Sequence, residues 1–385
     1  MADETVKCLV WDLDQTLWRG VLLEDGQVTL ADGIREVIVE LDRRGILQSV
    51  VSRNDHDYAW GWLEKLGVAE YFVLPQIGWG RKSDAVRAVA DRLGFAHHTI
   101  AFIDDHPAER AEVAHYLPEV RCYAAEDAGT LTARAQFTPP AITVDSGRRR
   151  AMYQAGFRRD AERASFTGPD EEFLATLDLR MVIHRATADD LARVAELTVR
   201  TSQMNATGVH YPEAGLRSLL ADPDHEVLVA TLDDRFGSHG VVGLVLLARH
   251  PAVWHLKLLA TSCRVVPFGA GAVVLRWLTD RAAAAGVHLA ADFRATGRNR
   301  MMEVAYRFAG FDFGDSDPAG SDPAGSDPAS PGPTGEPCAC LAGLPVDAGV
   351  RRLHLVPARQ EPPATMRVTA PALTGAGPAV VEWSR

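Results

Sequence analysis

The sequence predicts an α/β protein of two domains in series: a doubly wound parallel sheet, then a smaller α+β domain with a mostly antiparallel sheet. Three observations carry this. The chain has 385 residues, too many for one ordinary domain. Its first third alternates short apolar runs with helix-patterned segments, and three of the runs break abruptly into polar residues. From about residue 226 three long apolar runs follow one another with only turns between them, the pattern of neighbouring antiparallel strands.

In the first run, Leu9-Val10-Trp11 breaks into Asp12-Leu13-Asp14-Gln15-Thr16. Buried strands place such polar ends at the carboxyl edge of a parallel sheet. Residues two apart in extended backbone face the same way, so Asp12 and Asp14 address one ligand, and Thr16 braces the following turn. Arg19 to Gly26 reads as a short hairpin with Asp25-Gly26 at its turn. Gly33 to Arg44 reads as a helix with Ile34, Val37, Ile38 and Leu41 inward. Ile46 to Val51 is a second strand, ending in Ser52-Arg53-Asn54. A helix over Tyr58–Gly67 and a strand over Tyr71–Pro75 come next, and another helix opens near Lys82 and closes at Gly94. A cation at a helix start is unfavourable unless an anion faces it, so Lys82 marks a phosphate site. Thr99 to Ile103 is the third strand and ends in Asp104-Asp105-His106-Pro107. Two or more carboxylates at one edge invite a hard dication, and Mg²⁺ suits them.

Composition narrows the classes. The chain is 47% apolar and 24% charged, with no apolar run long enough to span a bilayer. A net charge of -11 argues against nucleic acid or an anionic membrane as the main partner and leaves a phosphorylated substrate open. The acidic start Met1-Ala2-Asp3-Glu4 is not a secretory signal, and five scattered cysteines fit a reducing, cytoplasmic setting. Cys338 and Cys340 are the one close pair. No second pair or nearby histidine in the sequence completes a tetrahedral zinc set, so the pair reads as incidental.

These features predict a first domain over 1–137, a linker with a bridging helix over 138–177 and a second domain over 178–385. The arginines of the segment Arg148 to Arg163 read as a solvated face. The second domain opens on a strand, Leu179 to Ile183, and a capped helix after Thr187. Strands over 226–231, 240–247 and 253–260 precede a glycine loop, Gly269-Ala270-Gly271, and an apolar helix. Ser316-Asp317-Pro318-Ala319-Gly320 recurs at Ser321 and again, ending in Ser330, at Ser326, so 314–336 is expected to be a disordered insertion.

The polar breaks taken together resemble the four motifs of the haloacid-dehalogenase (HAD) superfamily. That resemblance makes Asp12 the nucleophile, Asp14 the general acid/base, and Ser52 and Lys82 the phosphate holders, with Arg53 and Asn54 beside them. Asp12, Asp14, Asp104 and Asp105 form the Mg²⁺ site. Only short stretches separate the motifs, so the fold is expected to be uncapped, with its site either open to a macromolecule or covered by another domain. The second domain resembles the acyl-CoA N-acyltransferase (GNAT) fold, whose glycine loop holds a pyrophosphate, with Tyr306 and Gly310-Phe311 in its closing helix.

An uncapped HAD domain followed by a GNAT-like domain is similar to the FkbH-like family. Local strings carry this likeness: Trp11 to Trp18, Ile103 to Pro107, Arg200 to Asn205, Asp234 to Gly237 and Ser262 to Val265. It implies a glyceryl transferase/phosphatase that takes a three-carbon acyl unit from 1,3-bisphosphoglycerate, loads it on the phosphopantetheine thiol of an acyl carrier protein and removes the remaining phosphate, in polyketide-type biosynthesis. Cys263, Arg264, Gly269, Gly271 and Asn205 are the candidates for the pantetheine or acyl group. Two positions depart from the family: Val51 stands where relatives carry Cys, and His106 where they carry Asn. Two alternatives stay open, a plain Mg²⁺-dependent phosphatase for a small or carrier-bound phosphate ester and a non-catalytic scaffold that docks a carrier protein.

Overall fold

The computed structural model describes residues 5–139, 142–201, 203–313, 338–373 and 380–383. The expected insertion at 314–336 lies outside them. The chain divides into two compact units, 1–161 and 162–385. No helix among the described residues is long and apolar enough to cross a membrane.

The first unit is built on five strands, β1 (Cys8–Trp11), β2 (Leu47–Ser52), β3 (Gln76–Ile77), β4 (Ile100–Asp104) and β5 (Arg121–Ala124), in the order β3-β2-β1-β4-β5. Every pairing is parallel. Alternation along β1 explains why both faces must be covered: Leu9 and Trp11 pack into one apolar cluster, Cys8 and Val10 into the other. The covering helices are α1 (Ile34–Arg43), α2 (His56–Lys65), α3 (Lys82–Leu93) and α4 (Pro107–Tyr116). Ile34, Val37, Ile38 and Leu41 of α1 are buried, as the 3.6-residue spacing requires. Gly94 ends α3 with φ +66°, a conformation that disfavours side chains bearing Cβ.

Two local expectations are corrected. Between Trp18–Arg19 and Thr29–Leu30, which do pair antiparallel, the chain makes a one-turn helix, Leu22–Asp25, rather than a tight Asp-Gly turn. Residues 71–75 are not a strand. Phe72 makes a single bridge to Gln48, Leu74 has φ +51°, and regular pairing begins only at Gln76.

α5 (Val144–Ser165) follows. Its arginines are not merely solvated: Arg149 donates to the Gly45 carbonyl at 2.9 Å, and Arg150 pairs with Asp42 at 2.9 Å. Two of these charges therefore fasten the helix to the first unit.

The second unit holds an eight-stranded sheet of β6 (Leu179–Arg185), β7 (His225–Asp234), β8 (Gly237–Arg249), β9 (Val253–Thr261), β10 (His288–Phe293), β11 (Arg351–Leu355), β12 (Met366–Pro371) and β13 (Val380–Glu382). Their order is β11-β10-β9-β8-β7-β6-β12-β13. The run β6 to β9 is antiparallel, β9 and β10 are parallel, and β10 pairs antiparallel with the edge strand β11. The parallel step requires a crossover, supplied by helix α6 (Ala270–Ala285). A doubly wound parallel sheet of HAD-like type followed by a GNAT-like α+β unit is thus the architecture present.

Candidate active site

Register assembles the site. Trp11 lies level with Ile103 in the parallel pair β1/β4, so the next residues, Asp12 and Asp104, leave adjacent strands side by side. The backbone holds that register past the strand end, where Asp12 N–H donates to the Ile103 carbonyl at 2.9 Å. Thr16 then ties the two acid loops together, its Oγ1 accepting from Asp105 N–H at 2.9 Å. It therefore braces the opposite loop.

Lys82, the first residue of α3, is only 3% exposed and sits among three carboxylates. Its Nζ lies 2.6 Å from Asp12 Oδ1, 2.6 Å from Asp104 Oδ2 and 2.5 Å from Glu109 Oε2. A buried ammonium without these partners is costly, and a buried carboxylate trio without it equally so. Burial pushes the Asp12 carboxyl up to about 7; the Lys82 charge opposes that shift and the Asp104 charge adds to it. Burial pulls Lys82 down, but the Asp12 and Asp104 charges outweigh it and hold the ammonium above its usual value.

One ammonium against three contacting carboxylates leaves an excess of negative charge. Oxygens of Asp12, Asp104 and Asp105 lie within 4.8 Å of one another. This hard, oxygen-only donor set fits Mg²⁺, and a dication beside Asp12 lowers its pKa again, so metal binding and an ionised Asp12 go together.

The Asp14 side chain lies outside this cluster of three carboxylates. Its Oδ1 accepts from Trp18 Nε1 at 2.8 Å and from Leu22 N–H at 2.9 Å, and its Oδ2 accepts from Asn54 Nδ2 at 3.1 Å. The cause is the turn over Leu13–Leu17, in which Gln15 takes φ +53° and folds the chain back so that Gly20 O accepts from Gln15 N–H. A non-glycine residue in that region stores about 1–3 kcal/mol of strain, and here it aims Asp14 toward the one-turn helix.

Ser52 ends β2, buried, and lines a cavity of about 400 Å³ together with Arg53 and Lys82. The Arg53 guanidinium is held by Glu109 at 3.0 Å and Glu112 at 3.6 Å, and Asn54 by Asp14, so neither projects alone toward a ligand. Glu109 and Glu112 were not legible from the strand breaks, because they belong to the first turns of α4 and face back toward the strand ends. An acid two residues inside a helix that follows an Asp-Asp break was the available signal. Arg110 was also missed; it donates to the carbonyls of Asp104 and Asp105 at 2.7 and 2.8 Å and fixes that loop.

The candidates of the second unit behave differently. Asn205 is buried and spends its whole amide on its own loop, accepting from Thr207 and Gly208 N–H and donating to the Thr198 and Val209 carbonyls. No hydrogen-bonding capacity remains there for an acyl group. Cys263 is exposed, and partial burial of its thiol raises its pKa. Gly269 needs its φ of +68° to turn the chain into α6, whereas Gly271 meets Thr261 only at ordinary contact distance.

No protein-family model matches the chain, and no curated protein matches it. Among solved structures it is similar to the N-terminal part, containing a phosphatase domain complexed with Mg, of a Bacteroides fragilis protein: 28% identity, TM-score 0.29, covering 31% of this chain and 36% of that one. It is also similar to the cobalt-bound deoxy-D-mannose-octulosonate 8-phosphate phosphatase of Haemophilus influenzae, at 20% identity and TM-score 0.28, over 32% of this chain and 71% of that one. The ribosomal-protein-S18-alanine N-acetyltransferase of Escherichia coli matches at 18% identity and TM-score 0.28, over 34% of this chain and 77% of that one. The chain thus spans about a third of the Bacteroides chain, and each likeness is partial.

Proposed function

We propose that the first unit is a Mg²⁺-dependent phosphotransfer site and that the chain loads a glyceryl unit from 1,3-bisphosphoglycerate onto an acyl carrier protein and removes the remaining phosphate. The observation that carries the phosphotransfer reading is the contact of Lys82 with Asp12 and Asp104 at the carboxyl end of β1 and β4. The glyceryl and carrier parts are supported by the FkbH-like strings and by the short stretches between the polar breaks of the first unit, which leave no room for a cap.

In this reading the carrier thiolate attacks the acyl carbon, the carbon–oxygen bond to phosphate breaks and inorganic phosphate leaves. No protein cysteine is needed, in keeping with Val51, whose side chain has no nucleophilic atom. Asp12 then attacks phosphorus of the remaining monoester, the phosphorus–oxygen bond to the glyceryl unit breaks and the leaving alkoxide takes a proton from Asp14. Water, giving its proton to Asp14, then attacks the phosphorus of the aspartyl phosphate, which releases inorganic phosphate and restores Asp12. Trp18 and Leu22 fix Oδ1 of Asp14, leaving Oδ2, shared with Asn54, to pass that proton. Lys82 offsets the charge on the phosphoryl oxygens, and Ser52 holds them. Mg²⁺, when bound by Asp12, Asp104 and Asp105, supplies the further charge neutralisation that lets a carboxylate approach a phosphate dianion.

Mass spectrometry of candidate carrier proteins, after incubation with 1,3-bisphosphoglycerate, Mg²⁺ and the protein, tests this. A glyceryl adduct without phosphate supports it. Phosphate release with no adduct on any carrier favours the plain phosphatase, the reading that Val51 in place of Cys supports.

A further inference from the structure

The sequence reading set Cys338 and Cys340 aside for want of histidines, and the fold supplies two. In the antiparallel pair β10/β11, His354 lies opposite Ala290, two residues along from His288, so both imidazoles leave the same face of the sheet. The described chain resumes at Cys338 and makes a single 3₁₀ turn, Ala339–Leu341, that presents both thiols to them. His288 Nδ1 lies 3.0 Å from His354 Nε2, 3.5 Å from Cys338 Sγ and 3.3 Å from Cys340 Sγ, and Cys340 Sγ lies 3.4 Å from His354 Nε2. All four ligand atoms fall within 4.8 Å of one another.

Hydrogen bonding does not account for this convergence. A ring nitrogen offers one N–H or one lone pair, so Nδ1 of His288 bonds only one of its three close neighbours. A shared cation serves all of them at once. A tetrahedron with zinc–nitrogen bonds of about 2.0–2.1 Å and zinc–sulfur bonds of about 2.3 Å has edges of about 3.3 Å between nitrogens and about 3.6 Å between nitrogen and sulfur. The separations found here, 3.0 Å and 3.3–3.5 Å, are slightly shorter than that figure.

We propose that His288, Cys338, Cys340 and His354 form a zinc site that pins the turn after residue 337 to the β10/β11 edge of the second unit. A two-thiolate, two-imidazole tetrahedron selects zinc over magnesium or calcium, and four protein ligands leave no open position, which makes the site structural. β11 is the terminal strand of the sheet; it ladders with β10 and, among the described residues, meets a further backbone bridge from Asp312 to His354, so a metal across β10, β11 and the turn secures an edge held by one ladder and one bridge. Zinc binding releases the two thiol protons to solvent.

The test is metal analysis of the full chain purified under reducing conditions, rinsed with a weak chelator, beside Cys340→Ser, His354→Asn and, as a control, Asp104→Asn. The proposal expects about one zinc per chain in the wild type and the control, and its loss in the other two. Where a variant does not fold, cobalt(II) reconstitution of the metal-stripped wild type gives the reading: thiolate-to-cobalt charge transfer and the strong visible bands of tetrahedral cobalt, bleached by added zinc. A folded, reduced wild type that holds no zinc and develops no such spectrum overturns the proposal. So does a Cys338–Cys340 disulfide, seen as the loss of two hydrogens in the intact mass, if it persists in reductant.

Discussion

The acid site of the first unit and the thiol–imidazole cluster of the second are both gathered from distant parts of the chain, but the backbone delivers them in different ways. Asp12, Ser52 and Asp104 stand at the ends of parallel strands, where three similar sequence breaks fall on one edge by the rule of the fold. His288 and His354 stand inside an antiparallel pair, and Cys338 and Cys340 on a turn. The first set is of hard oxygens with an ammonium among them, at a sheet edge where ligands enter. The second is of soft donors that use all four positions of a tetrahedron. One arrangement suits chemistry on a phosphate, the other suits holding an edge together.

The largest effect that separates the two is expected from Asp12→Asn, which removes the nucleophile while leaving Lys82 its contacts with Asp104 and Glu109. Phosphate release should fall by roughly 10⁴-fold or more, with the fold and the zinc content unchanged. Phosphate assays beside circular dichroism and metal analysis check this.

Next comes Lys82→Met. It leaves Asp12, Asp104 and Glu109 facing one another without their cation, and breaking such a buried set costs about 3–5 kcal/mol. Chemical unfolding should show the first unit losing stability, part of it restored by millimolar Mg²⁺, with no change in the second. Equal loss in both units contradicts the separation argued here.

These two predictions concern residues that the strand breaks exposed. The break positions identified Asp12, Ser52, Lys82, Asp104 and Asp105, because a parallel sheet collects strand ends at one edge whatever lies between them. The side chain of Asp14 does not face the same way as that of Asp12, since alternation in extended backbone does not hold through a turn with a positive φ at Gln15. Glu109 was hidden for a different reason: which carboxylate Arg53 and Lys82 reach depends on where the fold places α4 beside them, a tertiary matter. The cysteine pair was misjudged because histidines 50 residues before Cys338 and 14 after Cys340 become neighbours only through the register of β10 and β11.

A smaller effect is expected from Trp18→Phe, which deletes one donor to Asp14 Oδ1 and leaves Leu22 N–H in place. Loss of one hydrogen bond to a charged group is worth about 1.5–3 kcal/mol. Steady-state kinetics should show kcat reduced by about ten- to a hundredfold, with KM and zinc content little altered. An unchanged kcat removes Asp14 from the acid/base role.

The smallest effect is expected from deleting residues 316–330, whose Ser-Asp-Pro-Ala repeats lack apolar content to bury. Phosphate release and melting temperature should stay nearly constant, and zinc content as well, because the deletion stops short of Cys338. A marked fall in any of them shows that this segment takes part in the second unit's packing or in binding a partner.

The account's central claim is that Asp12 takes the phosphoryl group. Acid quenching during turnover of a phosphate monoester, followed by peptide mass spectrometry, reads this directly. The predicted result is a phosphoryl adduct on the peptide that contains Asp12, formed only with Mg²⁺, discharged by hydroxylamine and missing from Asp12→Asn. Turnover with no adduct at Asp12, together with sustained phosphate release by Asp12→Asn, would contradict it.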